Sequence, residues 1–308
     1  MAINKAKRAA LKALSYPDLK TQKSYPLQRA FINASRRRSI GSVHCWNHKL
    51  KAEGREIPLR IFQPEIAGQF PILLFFHGGG WVTGNIQSYN SVCVGLAKNT
   101  SRTVISVDYR LAPEHKFPAG LEDCYLALQK VAASAPAFGG KAEDITLIGD
   151  SAGGNLAAAV SLLARDRGGQ MPKRQILLYP ATWNNYTKSS PFRSVHENGT
   201  DYLLTSKRVS DYIALYQSSK QDLRNPYFAP LLMQDLSRQP DTLILTAEYD
   251  LLRDEGEAYG ERLEEAGNNV EIVRLKDALH GFISQSSRHP EVKQSYFLIN
   301  RFLNRDKD

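Results

Sequence analysis

An α/β fold on a mainly parallel sheet of eight strands, with helices on both faces, is what this chain of 308 residues predicts. Two observations carry it. From residue 71 onward short apolar runs alternate with helix-forming stretches, an order that sets parallel strands side by side and returns each connection over a face of the sheet. Before that, residues 42–49 and 55–62 have strand-like composition around Lys51-Ala52-Glu53-Gly54, which predicts an opening hairpin.

The elements follow in order. Residues 1–40 hold helical patches interrupted by Pro17 and Pro26, each expected to end a helix just before it, so two or three short helices are predicted there. After the hairpin, strands are placed at about 71–76, 103–108, 145–149, 175–180, 242–247 and 270–275. Helices are placed near 87–98, 119–134, 152–166, 255–267 and 290–304. About sixty residues between Pro180 and Thr242 carry two helical patches and no good strand. In a parallel sheet of this kind the reactive side chains gather at the carboxyl ends of the strands. No internal repeat or long low-complexity tract is present, so solenoid and linker-array readings drop out.

Composition narrows the function classes. With 42% apolar and 23% charged residues the chain has the make-up of an ordinary globular protein. Three cysteines, Cys45, Cys93 and Cys124, match neither a disulfide framework nor paired metal-ligand spacing, which fits a reducing cytosol. No apolar stretch reaches membrane-spanning length, and the N-terminus lacks the apolar core of a signal peptide, so a cytoplasmic protein is expected. The sequons at Asn185 and Asn198 are accordingly read as chance polar loops. The net charge of +9 resides in the first 40 residues, where ten basic side chains face one acid, Asp18. Such a segment reads as an anion-binding arm, a membrane-surface helix or a solvated face. No zinc-finger, basic-zipper or RNA-recognition signature accompanies it, and a nucleic-acid partner is not expected.

Two clusters carry the chemistry. Gly149-Asp150-Ser151-Ala152-Gly153 joins the apolar run Ile145–Ile148 to the helix-forming Asn155–Val160. A strand that reverses into a helix this sharply strains its apex, and small flanking residues let the Ser151 hydroxyl stand clear as a nucleophile. His77-Gly78-Gly79-Gly80-Trp81 follows the run Ile72–Phe76, and its glycines free backbone N–H groups to turn inward as anion donors.

With these clusters the chain resembles the hormone-sensitive-lipase-like carboxylesterases of the α/β-hydrolase fold. The likeness extends to Tyr109-Arg110-Leu111-Ala112-Pro113-Glu114 with Phe117-Pro118-Ala119, to Asn225-Pro226-Tyr227-Phe228-Ala229-Pro230-Leu231, to the acid-bearing Ala247–Gly256 and to Leu279-His280-Gly281-Phe282. It departs from the family pattern at Leu251, where proline is common. The resemblance implies a helical cap made by residues 1–40 and an insertion at about 183–224, on a catalytic domain spanning 41–308. It also implies hydrolysis of short to medium acyl esters through an acyl-enzyme, with neither metal nor organic cofactor.

Roles follow from the order serine, acid, histidine along the chain. Ser151 attacks, His280 takes and returns the proton, and Asp250 orients the imidazole. Asp250 is preferred over Glu248, Asp254 and Glu255 because it sits on the turn after a strand, whereas Asp254 and Glu255 suit the amides of a helix N-terminus. The Ala152 N–H is one oxyanion donor by elbow geometry. The resemblance adds Gly79 and Gly80, with Gly78 serving the bend. Asp150 and Glu114 read as loop anchors, His77 as the residue that orders the glycine loop, and Trp81 as either pocket wall or loop core. The other histidines, His44, His48, His115, His196 and His289, are read as structural or exposed. An amidase or deformylase using the same triad is the nearer alternative, and a ligand receptor on the same fold the farther one, disfavoured by His280. The partner expected is a small-molecule ester; a homodimer is left open.

Overall fold

The computed structural model describes residues 5–15, 21–35, 43–52, 54–65 and 68–305. Eight strands form one sheet: β1 (His44–Ala52), β2 (Arg55–Gln63), β3 (Ile72–Phe76), β4 (Thr103–Val107), β5 (Ile145–Asp150), β6 (Arg174–Leu178), β7 (Asp241–Tyr249) and β8 (Val270–Leu279). Their spatial order is β1-β2-β4-β3-β5-β6-β7-β8. Antiparallel pairing is confined to β1 with β2 and β2 with β4; every other pair is parallel. The chain-order jump from β4 back to β3 and on to β5 puts β3 and β5 together in mid-sheet, where Phe76 pairs with Gly149.

Side chains alternate across a strand, so a run such as Ile72-Leu73-Leu74-Phe75-Phe76 supplies both faces of the sheet at once. Leu74 and Phe76 pack in one core with α4 (Ala119–Ala133), α5 (Ala152–Asp166) and α8 (Arg253–Glu265). Leu73 and Phe75 pack in another with α3 (Asn90–Thr100) and α9 (Pro290–Asn304). This two-sided burial is why the central strands carry no polar alternation. The expected strands and helices from residue 71 onward all form, with ends moved by a few residues.

Four further helices and short 3₁₀ turns stand outside these layers. Two are α6 (Arg193–Asn198) and α7 (Ser206–Tyr216), with a 3₁₀ turn at Lys220–Arg224, in the long connection from β6 to β7. The other two are α1 (Lys5–Ser15) and α2 (Thr21–Ser35). Polar ties join the pairs: Arg8 Nη2 donates to Asp201 Oδ2 at 3.0 Å, Leu203 N to Ser15 Oγ at 2.9 Å, and Gln22 Nε2 to Asp211 Oδ1 at 3.2 Å. Lys12 also faces Asp201, at 3.5 Å. Arg8 and Lys12 of the basic N-terminal segment are thus paired within the chain while their side chains stay more than half exposed.

Pro26 corrects one expectation. It lies inside α2 instead of ending a helix before it. Its ring removes the N–H that would reach the carbonyl four residues back, a loss of about 3 kcal/mol in a helix interior. Contacts one turn later outweigh that loss: Arg29 donates to Val82 O and to Ala112 O, each at 2.7 Å, and pairs with Glu114 at 2.9 Å. Pro17 and Ser42, the expected start of the first strand, lie outside the described residues.

P26A restores the missing donor. Amide exchange across α2 is expected to slow about tenfold or more, read by hydrogen–deuterium exchange; unchanged exchange would mean that the tertiary ties alone set the helix's stability.

Candidate active site

The site begins with a steric problem. Ser151 joins β5 to α5 at φ 55° and ψ −119°, a conformation that costs a side-chain-bearing residue roughly 1–3 kcal/mol. It is held by Ser151 N donating to Leu178 O at 2.8 Å and by Ala181 N donating to Ser151 O at 3.3 Å. The flanking glycines serve space rather than positive φ. A Cβ on Gly149 would stand 2.2 Å from Gly153 O, and one on Gly153 would stand 2.0 Å from Phe76 O. Strand and helix thus approach too closely for any side chain at either position, while the strain falls on the serine.

Ser151 Oγ lies 2.9 Å from His280 Nε2, and His280 Nδ1 lies 2.6 Å from Asp250 Oδ2. The Asp250 side chain is wholly buried. Its ionised carboxylate can only accept, so Nδ1 carries the proton and Nε2 is left to accept from the serine hydroxyl. Leu252 N donates to Asp250 Oδ1 at 3.0 Å, and Asn198 Nδ2 donates to the Asp250 carbonyl at 3.1 Å. The Tyr179 ring stands edge-on to the imidazole, with centroids 4.8 Å apart.

In the glycine loop, Gly79 and Gly80 have φ of 118° and 61°, conformations open to glycine. Gly78 is not at positive φ; its need is closeness, because a Cβ there would meet Asp150 Oδ2 at 2.6 Å. Asp150 Oδ1 instead accepts from Gly78 N at 2.8 Å and Oδ2 from Tyr89 OH at 3.1 Å, which makes Asp150 the anchor of the loop. Among the described residues, the N–H groups of Gly79, Gly80 and Ala152 donate to no protein acceptor. These residues, with Ser151 and His280, line a cavity of about 260 Å³. Its remaining wall is largely apolar, with Ile32, Leu203, Leu204, Val209, Tyr212 and Leu252. Asp250 sits behind the imidazole, outside the cavity wall.

The other readings divide. His77 Nδ1 lies 2.8 Å from Gly78 O, and its ring stacks on Tyr109. Trp81 is buried, stacks on Tyr216 at 4.6 Å and also reaches the cavity, so it is both core and wall. Glu114 receives Arg29. His44, His48, His115, His196 and His289 are exposed. Asp254 and Glu255 start α8 but do not serve its own amides. Asp254 Oδ2 accepts from Ser194 N at 2.7 Å, and Glu255 Oε1 accepts from Thr182 N, Trp183 N and Tyr186 OH at 2.8, 3.1 and 2.8 Å. Burial pushes the Glu255 carboxyl up to about 8 despite those donors.

Three supporting residues escape sequence reasoning. Asn155 accepts from Trp81 Nε1 at 3.3 Å and donates to Ala181 O and Phe228 O at 2.8 and 2.9 Å, tying the glycine loop to α5. Asn198 lies buried against Asp250 rather than in a chance polar loop. Glu255 fastens the chain after β6 to the start of α8. The one available signal was a lone polar residue beside an apolar run, as at Asn155.

A strained serine hydrogen-bonded to a histidine that a buried aspartate holds, beside unspent amides, defines a serine hydrolase. The α/β-hydrolase fold family matches residues 73–284. Over 236 residues the chain is 38% identical to an arylesterase of Saccharolobus solfataricus, with 76% of each covered. Over 235 residues it is 40% identical to the carboxylic ester hydrolase LipN of Mycobacterium tuberculosis, covering 74% of this chain and 61% of LipN. The solved structure of a hyperthermophilic esterase from the archaeon Pyrobaculum calidifontis has a TM-score of 0.86 at 34% identity, covering 100% of this chain and 99% of that one. The chain belongs to the hormone-sensitive-lipase-like carboxylesterase family of α/β-hydrolases.

Two outcomes follow from this geometry. G153A forces the β5–α5 reversal apart and is expected to destabilise the protein by about 3 kcal/mol or more in chemical denaturation, with a Tm within a degree of wild type contradicting it. The raised Glu255 carboxyl contributes stability that is complete below its ordinary range and is lost as pH climbs through about 8. Thermal unfolding of wild type should therefore weaken more between pH 6 and 9 than that of E255Q; parallel profiles would count against a protonated Glu255.

Proposed function

We propose that this carboxylesterase hydrolyses esters of short to medium acyl chains through an acyl-enzyme formed on Ser151, with His280 as base and Asp250 as its orienting acid. The observation that carries the reading is the unbroken hydrogen-bond chain from buried Asp250 through His280 to Ser151 at a mostly apolar cavity.

As Ser151 Oγ bonds to the ester carbonyl carbon, its proton passes to His280 Nε2, and the carbonyl oxygen takes the negative charge. That oxygen turns toward the N–H groups of Gly79, Gly80 and Ala152, which among the described residues have no other acceptor to give up. Asp250 stabilises the imidazolium so formed. Collapse breaks the bond to the alcohol oxygen, which leaves with the proton from Nε2. Water then repeats the attack on the acyl carbon, losing its proton to the same nitrogen, and the acid departs as Ser151 is restored. No step calls for a metal or organic cofactor. A cavity of about 260 Å³ lies below the common range for drug-sized ligands and favours compact acyl groups.

The division of labour extends this reading. Residues 1–40 and about 183–224 act as a cap on a catalytic domain of 41–308, supported by the ties from α1 and α2 to Asp201, Leu203 and Asp211. The enzyme works in the cytoplasm without a nucleic-acid partner, as monomer or homodimer. No helix among the described residues is long and apolar enough to cross a membrane.

S151A tests the assignment. Turnover of 4-nitrophenyl butyrate is expected to fall by about 10⁴-fold or more with the circular dichroism spectrum kept; retained turnover would overturn it. Matched butyryl ester and butyryl anilide substrates separate esterase from amidase, with the ester expected to be the one hydrolysed at a measurable rate.

A further inference from the structure

Arg208 is a charged side chain on the cavity wall whose role the hydrolytic mechanism leaves open. It belongs to α7, where its own N–H caps onto Thr205 Oγ1 at 3.2 Å, and it lines the same cavity as Ser151, His280 and the glycine loop. The other charged side chain there, Asp150, is spent on Gly78 N and Tyr89 OH. Arg208 is not spent in the same way. Nη1 donates to Leu203 O at 2.8 Å, and among the described residues no carboxylate pairs with the guanidinium. Its helix neighbour Lys207, by contrast, is paired with Asp211 at 2.7 Å.

A half-buried guanidinium presents five donors in one plane. Drawing it from water into a wall of Leu203, Leu204, Val209 and Tyr212 costs solvation that one carbonyl bond does not return. The bond to Leu203 O fixes one edge of the fork and leaves the other to whatever enters. A neutral alkyl chain gains nothing from such a fork, whereas a carboxylate accepts two parallel hydrogen bonds from it.

We propose that Arg208 is a specificity-determining residue that binds a carboxylate on the substrate, so that the preferred esters carry an anionic group remote from the scissile bond. The inference rests on the ester-hydrolase reading of Ser151 and deepens it. In the bound state the substrate carboxylate accepts from the free edge of the guanidinium while its ester carbonyl meets Ser151. Desolvation of the charge is offset by the pair, and the apolar wall takes the chain between them.

The test compares kcat/KM for substrates differing only in that charge. On the acyl side these are the 4-nitrophenyl monoesters of adipic and suberic acid against their terminal carboxamides. On the alcohol side they are the butyryl esters of 4-hydroxybenzoate against 4-hydroxybenzamide. All rates are corrected for spontaneous hydrolysis. Wild type should favour the carboxylate by about tenfold or more in at least one series, mainly through KM, and the preference should shrink as salt rises. In R208Q the ratio should fall to near one, and R208K should restore part of it. Equal rates for charged and neutral esters in wild type, or a preference that survives in R208Q, would overturn the role of Arg208. The wild-type comparison decides by itself should R208Q fail to fold. Hydrolysis of the neutral esters without any preference would leave the esterase reading standing and this inference refuted; no Ser151-dependent hydrolysis of either would strike the reading beneath it.

Discussion

The turn at Ser151 admits no side chain on the second residue to either side, and that steric constraint governs the rest of the site. Gly149 lies against Gly153, and Gly153 against the carbonyl of Phe76 in the neighbouring strand. Because β3 and β5 are adjacent in mid-sheet, this contact also fixes where the glycine loop after β3 leaves the sheet relative to the serine. Asp150 completes the join by accepting Gly78 N with the carboxylate next to Ser151. Ser151 and the glycine loop are therefore positioned by one packing event.

The histidine and its acid arrive from the other half of the sheet, and polar rather than apolar contacts set their position. Asn198 holds the carbonyl of Asp250 from α6, and Glu255 gathers three donors from the chain after β6. Each tie crosses fifty or more residues of sequence, so the acid loop is braced by the connection that also walls the cavity. A buried polar network of this kind is costly if half satisfied and specific when complete.

The strands and the places of Ser151, Asp250 and His280 were legible because their causes are local. Continuous apolar runs such as Ile72–Phe76 announce strands buried on both faces; Ser151 and Asp250 stand just after such strands, and His280 after the more mixed β8. What was not legible depends on distant partners. Pro26 reads as a helix end until Arg29 is seen anchored on Val82 and Ala112. Asn198 reads as a surface polar residue until it is found against Asp250. Glu255 reads as a helix-end carboxylate, yet its donors come from residues 182–186. The small residues beside Ser151 were expected to let its hydroxyl stand clear, and the partner they make room for, Gly153 against the Phe76 carbonyl of the next strand, shows only in the fold.

Turnover through an acyl-enzyme requires the hydroxyl at position 151 to bond covalently to the acyl carbon. A fluorophosphonate that mimics the tetrahedral intermediate, followed by peptide mass spectrometry, reads this directly. One adduct per chain is expected, on Ser151, formed at the rate at which hydrolysis is lost. Inhibition with the adduct on another residue, or undiminished hydrolysis by fully labelled protein, would contradict it.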